Sequence, residues 1–266
     1  MLLSIVIPTK NEAKNIGRLL SSIFKNKAFD SKKIEVIVVD NPDTNDTTRE
    51  IVKGYKLAKL YTIGPERSAQ RNHGTRNALG EYLYFVDADM EFTTNVLQEI
   101  LDNLEPNKIL VVKERIAGNS LYCRAINLEK KIYDDNDVLS AARVFARKVF
   151  DQVHGFNETM VSGEDWDLDR RVVKQKMKIV HLKNYVLHHE EDLGMRVSIR
   201  KKIYYAQKLK NYQVGIQPEV NPIYRYYVLF SRPLLIFKNP VLFLYLLIIK
   251  TAHFLVGFFV FIRRPV

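Results

Sequence analysis

Tyr82-Leu83-Tyr84-Phe85-Val86-Asp87-Ala88-Asp89 decides how this chain is read, because an apolar run rich in strand formers stops abruptly at two carboxylates. Open α/β sheets present their ligand groups in this way, beyond the carboxyl ends of buried strands. The pattern recurs on the N-terminal side: residues 3–7 close at Pro8, residues 34–39 close at Asp40, and 57–63 form a third run. Helical spacing follows each of them. Residues 15–24 place Ile16, Leu19, Leu20 and Ile23 on one face, and two further helices are expected near 48–53 and 68–78. The alternation predicts a Rossmann-like α/β domain over 1–192, its sheet mixed but mostly parallel and flanked by helices. Residues 8–12, Asp40 and 87–89 then fall on one sheet edge, with Glu164-Asp165 folded beside them.

Composition narrows the function. Cys123 is the sole cysteine, so no internal disulfide or thiol metal cluster forms, which fits a reducing compartment and a cytosolic active site. The short apolar run after Met1 lacks a basic leader and stops at Pro8, so it reads as a first strand and not as a signal peptide. The net charge of +11 lies wholly in residues 193–266, where twelve Lys and Arg face the single acid Glu219; residues 1–192 balance at 29 against 29. Those basic residues are interleaved with long aliphatic runs, unlike the exposed basic face of a nucleic-acid binder. Nucleic acid is therefore not the expected partner.

Asp87 and Asp89 on one loop suit a hard divalent cation, Mn²⁺ or Mg²⁺, which could bridge two phosphates and offset charge on a nucleoside diphosphate leaving group. Solvated turn aspartates are the plain alternative. A phosphatase with an aspartate nucleophile is a rival, but Met90 and Glu91 follow where such enzymes place a small hydroxyl residue. Glu164-Asp165 open an amphipathic run through Leu168, Val172 and Val173 and could be capping acids. Transfer to a hydroxyl also needs a carboxylate to take its proton, and Asp165 is the candidate base, with Glu164 beside it. His188 and His189 follow a short apolar strand at 185–187 within a polar turn, and one of them could complete a metal site. Arg67 and Arg71, a turn apart at the start of a helix, favour phosphate, unless they merely solvate that helix.

Together these stretches resemble family 2 glycosyltransferases of the GT-A fold over roughly residues 1–192. The resemblance rests on Ser4-Ile5-Val6-Ile7-Pro8-Thr9-Lys10-Asn11-Glu12, Val38-Val39-Asp40, Arg71-Asn72-His73-Gly74, Gly80-Glu81-Tyr82 leading to Asp87-Ala88-Asp89, and Gly155-Phe156-Asn157-Glu158 ahead of Glu164-Asp165. It implies that Pro8, Glu12, Asp40 and Arg71, with Thr9, Asn11, Arg67 and Ala88, line the pocket for a UDP- or GDP-sugar. Asp87 would face ribose and metal, Asp89 would bind the metal, and Asp165 would be the base of an inverting single displacement. His188 or His189 would be a further metal ligand. The loop after Asp40 reads Asn41-Pro42-Asp43, where many members carry a second acid, Gly and Ser. No Q-x-x-R-W motif of processive polymer synthases is present, so a single sugar is expected to move. A catalytically silent glycan-binding relative is the other reading, opposed by retention of Asp89 and Asp165.

Residues 193–266 read as a basic, hydrophobic helical region. A helix is expected over 196–212, and Asn221-Pro222 and Asn239-Pro240 frame apolar stretches at 224–237 and 241–262. The last, as a helix, measures about 33 Å, enough to cross a bilayer core of about 30 Å. Lys250 would sit near its centre at a cost of about 2.5–3.5 kcal/mol. Basic residues at both ends, Lys238 and Arg263-Arg264, favour helices lying in the interface. The expectation is attachment to the cytosolic face of the cell membrane beside a lipid-linked acceptor, with a buried helical subdomain or an oligomer interface as the alternative.

Overall fold

The computed structural model describes residues 1–160, 163–189, 194–208 and 221–262. The chain divides into two compact units, Met1–Glu114 with Ala141–His189, and Arg115–Ser140 with Glu190–Val266. Residues 115–140 therefore group with the tail, whereas a sequence boundary near 192 leaves them in the catalytic part.

The first unit is built on a mixed sheet. Its strands are β1 (Leu3–Thr9), β2 (Ile34–Asp40), β3 (Ala58–Thr62), β4 (Tyr82–Phe85), β5 (Met90–Phe92), β6 (Lys108–Ile116), β7 (Val144–Ala146) and β8 (Lys178–His188). They lie in the order β3-β2-β1-β4-β7-β6-β8-β5. Every residue of β1, β2 and β4 is buried, as their predominantly apolar runs require of strands covered on both faces, and the polar interruptions Ser4 and Glu35 satisfy each other at 2.6 Å. β3, β2, β1 and β4 pair in parallel. β7 then pairs with β4 and β6 in antiparallel fashion, and β5 with β8. The parallel half matches the sequence pattern, while the antiparallel half comes from residues 90–188, where short strands such as β5 and β7 leave little periodicity to read.

Between the strands run α1 (Ile16–Phe24), α2 (Thr48–Lys53), α3 (Arg67–Arg76), α4 (Val96–Asp102), α6 (Arg147–Gln152) and α7 (Glu164–Val173). α1 buries the four apolar residues that its spacing singles out. α3 is different, because it buries Ser68, Gln70, Arg71, Asn72 and Thr75, polar residues that need partners inside the domain. Gln70 supplies some of them: its Nε2 donates to the carbonyls of Thr9 and Val39, each at 2.8 Å. Gly74 permits this close seating, since a Cβ there would lie 2.4 Å from Val6 Cγ1.

The second unit is helical: α5 (Leu121–Tyr133), α8 (Met195–Lys208), α9 (Pro222–Leu229), α10 (Pro233–Lys238) and α11 (Pro240–Ile262). The expected apolar stretch 224–237 splits into α9 and α10 at Pro233, which starts a new helix because proline lacks the N–H a continuing helix needs. Of the helix expected over 196–212, residues 209–212 lie outside the described residues, as do Glu190–Asp192, Arg263 and Arg264. The core joins Tyr122, Ala125, Leu128 and Ile132 of α5 to Leu229 of α9 and to Phe243, Leu246 and Ile249 of α11. Lys250 is not stranded at mid-helix, because its Nζ lies 2.5 Å from Glu129 Oε1 on α5.

Candidate active site

The site lies at the carboxyl ends of the parallel strands. Asp40, the last residue of β2, is fully buried. Thr9 at the end of β1 donates its hydroxyl to Asp40 Oδ1 at 2.7 Å, and Thr44 donates to the same oxygen at 2.9 Å. Arg49 of α2 donates Nε to Asp40 Oδ2 at 2.7 Å and Nη2 to the carbonyls of Asn41 and Pro42. Asn11 accepts from the Asn45 amide at 2.9 Å, so the loops after β1 and β2 are tied together. Pro8 belongs to β1, one residue before this edge.

Arg71 is the hub. Its side chain is wholly buried, which excludes a merely solvating role. Nη2 donates to Asp87 Oδ1 at 2.7 Å, and Nη1 to Glu164 Oε1 at 3.1 Å and Asp165 Oδ1 at 3.0 Å. The guanidinium also lies over the Phe156 ring, 5.1 Å from its centroid. One arginine thus binds the loop after β4 to the start of α7, groups 16, 93 and 94 positions away in the chain. Burial lowers the Arg71 pKa, but Asp165, Asp87 and Glu164 more than offset this and raise it.

Around this hub, Glu12, Asp87, Asp89, Glu114, Glu164 and Asp165 gather against Arg67, Arg71 and Arg143. Asp87 has both oxygens engaged, Oδ2 lying 3.2 Å from Arg143 Nη1. Burial alone would push its pKa up; Arg143 and Arg71 reverse that and hold the carboxyl well below its usual range. Glu164 goes the other way, raised by burial and then by Asp165, against the pull of Arg67 and Arg71. Glu12 is raised too, chiefly by burial and also by Asp89 and Asp87, although Asn15 donates to it. Acids that resist ionising beside ionised neighbours mark a pocket with surplus negative charge.

The antiparallel pairing of β5 with β8 separates the two histidines. Met90 lies opposite His188, which brings His188 Nε2 to 2.9 Å from Asp89 Oδ2. His189 turns instead to Glu91, at 2.6 Å, while its amide donates to the Asp89 carbonyl at 2.7 Å. Among the described residues, no three His, Cys, Asp or Glu side chains gather closely enough to hold a metal ion unaided.

Glu164 and Asp165 do open a helix, as expected, but their carboxylates reach the arginines of α3. Gly163 is the residue before that helix, at φ 78°, a left-handed conformation suited to glycine. Ala88 is buried between the two loop aspartates. Arg67, side chain 46% exposed, pairs with Glu164 at 3.2 Å. Sequence reasoning missed Arg49, Arg143 and Glu114. Arg143 donates Nε to Glu114 Oε1 at 2.9 Å, but both sit in the antiparallel half, where no motif flags them. Arg49 carried a weak signal, a cation on the short helix that follows the Asp40 loop.

A parallel half-sheet with Asp40, Asp87 and Asp89 at its carboxyl ends, continued in the same sheet by an antiparallel half that brings in His188, is the organisation of a GT-A domain. The chain belongs to Glycosyl transferase family 2, whose family model matches residues 4–140, just over half of the 266 residues. Poly(ribitol-phosphate) β-N-acetylglucosaminyltransferase TarS of Staphylococcus aureus is 30% identical over 130 residues, 46% of this chain and 22% of that protein. The GalNAc(5)-diNAcBac-PP-undecaprenol β-1,3-glucosyltransferase of Campylobacter jejuni is 28% identical over 138 residues, 48% of this chain and 41% of that one. The chain spans less than half the length of these two relatives. Crystallographic TarS 1–349 with UDP-GlcNAc superposes with a TM-score of 0.59 at 21% identity, covering 88% of this chain and 74% of that one. A mannosyltransferase from Pyrobaculum calidifontis in complex with GDP-Man and Mn²⁺ gives 0.60 at 18% identity, covering 90% and 73%. At such identities these two structures establish the shared fold.

Proposed function

We propose that the chain is an inverting glycosyltransferase that moves one sugar from a UDP- or GDP-sugar to an acceptor hydroxyl. The observation that carries this reading is Arg71 holding Asp87, Glu164 and Asp165 together at the strand ends. Of the three carboxylates, Asp165 is the one an acceptor can reach: its side chain is 37% exposed, against 21% for Asp87 and 4% for Glu164. Asp165 takes the acceptor proton as the new bond forms, and Arg71 keeps that carboxylate aimed. Glu164 positions Arg67 and Arg71 and does not exchange protons with the acceptor.

Asp40, fixed by Thr9, Thr44 and Arg49, accepts hydrogen bonds from the nucleobase, and Pro8, Asn11, Glu12 and Ala88 shape the rest of the nucleotide pocket. Arg67, half exposed at the start of α3, meets the diphosphate. Asp89 with His188 would hold a divalent cation, Mn²⁺ or Mg²⁺, with Asp87 behind them locked by two arginines; carboxylate and imidazole donors beside surplus negative charge fit such an ion. When bound, the cation stabilises charge on the departing diphosphate. His189, turned to Glu91, is assigned no ligand role.

The acceptor we propose is a lipid-linked glycan or polyprenyl phosphate, reached from the cytosolic face of the cell membrane. The apolar α11 and the undecaprenol-linked substrate in the name of the Campylobacter relative support this reading. The test is nucleoside diphosphate release from a panel of UDP- and GDP-sugars with membrane lipid extract, with Mn²⁺ or with EDTA. Release by the wild type that EDTA and Asp165→Asn both abolish is expected. Equal release by Asp165→Asn would remove the base assignment, and equal transfer to soluble sugars would remove the lipid acceptor.

A further inference from the structure

Three consecutive helices of the second unit turn apolar residues outward. Ile223 and Tyr227 on α9, Leu234 and Phe237 on α10, and Leu244 and Ile248 on α11 are all more than half exposed, Ile223 and Phe237 at 79%. Lys238 is the one charged residue at an exposed position among the described residues 221–257. Soluble domains rarely leave so continuous an apolar surface uncovered.

The opposite side of α11 is committed. Phe243, Leu246 and Ile249 pack into the core with α5, Lys250 meets Glu129, and His253 Nε2 lies 2.9 Å from Ser198 Oγ of α8. α5 carries Arg124, Glu129, Lys130 and Lys131, and α8 carries Arg196, Arg200 and Lys201. Passing α11 through a bilayer would draw these charged helices into hydrocarbon, or strip them away and leave Lys250 and Glu129 without each other. α11 is apolar on its packed side as well as on its bare one, so what holds it in the plane of an interface is the charged α5 and α8 packed against it, which hydrocarbon on that side would exclude.

We propose that residues 221–257 form a monotopic docking face that beds into one leaflet of an anionic bilayer, with α11 lying in the interface and not crossing it. The occupant follows from charge as well as from the apolar surface. Twelve Lys and Arg against one acid from residue 193 onward suit anionic headgroups, and an apolar protein partner would not call for that excess. The inference rests on the membrane reading given above and replaces an anchor of unspecified geometry with a defined surface.

The full chain is tested against vesicles of phosphatidylcholine alone and of phosphatidylcholine with phosphatidylglycerol. Binding is expected to strengthen at least about tenfold with the anionic lipid and to weaken as salt rises. A variant carrying Leu234→Glu, Phe237→Glu and Leu244→Glu is expected to bind about a hundredfold more weakly. Should it fail to fold by circular dichroism, nitroxide labels placed singly at 234, 241, 248 and 255 in a Cys123→Ser background decide the matter. Similar shallow depths at all four support the in-plane helix; a depth that peaks at 248 and falls toward both ends shows a span and overturns it. Absence of vesicle binding, or a stable dimer that hides this face and ignores vesicles, also overturns it. Nucleoside diphosphate release in the same samples reports the catalytic reading separately, so either can fail alone.

Discussion

The two units bury positive charge in opposite ways. In the first, Arg71 faces three carboxylates, and Glu12 and Glu164 are pushed toward their neutral forms by burial and by their acidic neighbours. In the second, the buried Glu129 pairs with Lys250 and is also held ionised by Arg225 and Tyr133, so no acid is left in excess. A matched pair satisfies itself and only organises packing, whereas an unbalanced cluster holds capacity in reserve for a proton or a cation. The surplus, and not burial as such, separates a site from a strut.

The comparison breaks most visibly at Arg71. Arg71→Met is expected to lose about 3–5 kcal/mol in urea unfolding, because it leaves Asp87, Glu164 and Asp165 with only Arg143 and Arg67 to offset them, and to abolish nucleoside diphosphate release. Asp165→Asn sharpens the contrast, with release falling about 10²- to 10⁴-fold while stability stays within about 1 kcal/mol of wild type. Lys250→Met should cost about 2–4 kcal/mol by leaving the buried Glu129 with Arg225 and Tyr133 alone, yet Lys250→Met with Glu129→Leu should return to within about 1 kcal/mol of wild type. A strut can be replaced by apolar side chains; a comparable apolar swap at Arg71 and Glu164 should restore folding at best and never activity.

The smallest effect concerns pH. Asp87 has its folded pKa depressed, so its stabilisation is fully present above the unfolded carboxylate range near about pH 4 and is lost as pH falls below it. Asp87→Asn should flatten the acid limb of the stability curve by about 1–3 kcal/mol, read from urea midpoints between pH 7 and pH 3. An unchanged acid limb would show that the two arginines hold Asp87 no more tightly than water does.

The parallel half of the sheet was legible because strands buried on both faces are mostly apolar, so 3–7, 34–39 and 82–86 announce themselves despite Ser4 and Glu35. So were Asp40, Asp87, Asp89 and Asp165, each at the end of a run or the start of a helix. The antiparallel half was not, since β5 and β7 have three residues each and no period to detect. Arg143 and Glu114 were hidden with it. Nor does spacing show that Arg71 is buried: a helix whose inward residues are Ser68, Gln70, Arg71 and Asn72 has the pattern of a solvated one, and only the carboxylates arriving from distant segments reverse that. Nor does the sequence show that His188 meets Asp89 while His189 meets Glu91, because that needs the register of Met90 against His188.

The excursion that leaves the sheet after β6 and returns at β7 carries α5, whose apolar face is covered by residues of α9 and α11. During synthesis that face emerges long before its cover does, so Tyr122, Leu128 and Ile132 are available to wrong partners while the ribosome still holds the tail. Shortening the gene from its 3′ end therefore does not yield a trimmed catalytic domain; it yields a protein with an open wound in its middle, prone to chaperone capture and proteolysis. A trimmed first unit would have to lose 117–140 along with the C-terminal helices, joining the end of β6 to the residues before β7 through a new short turn.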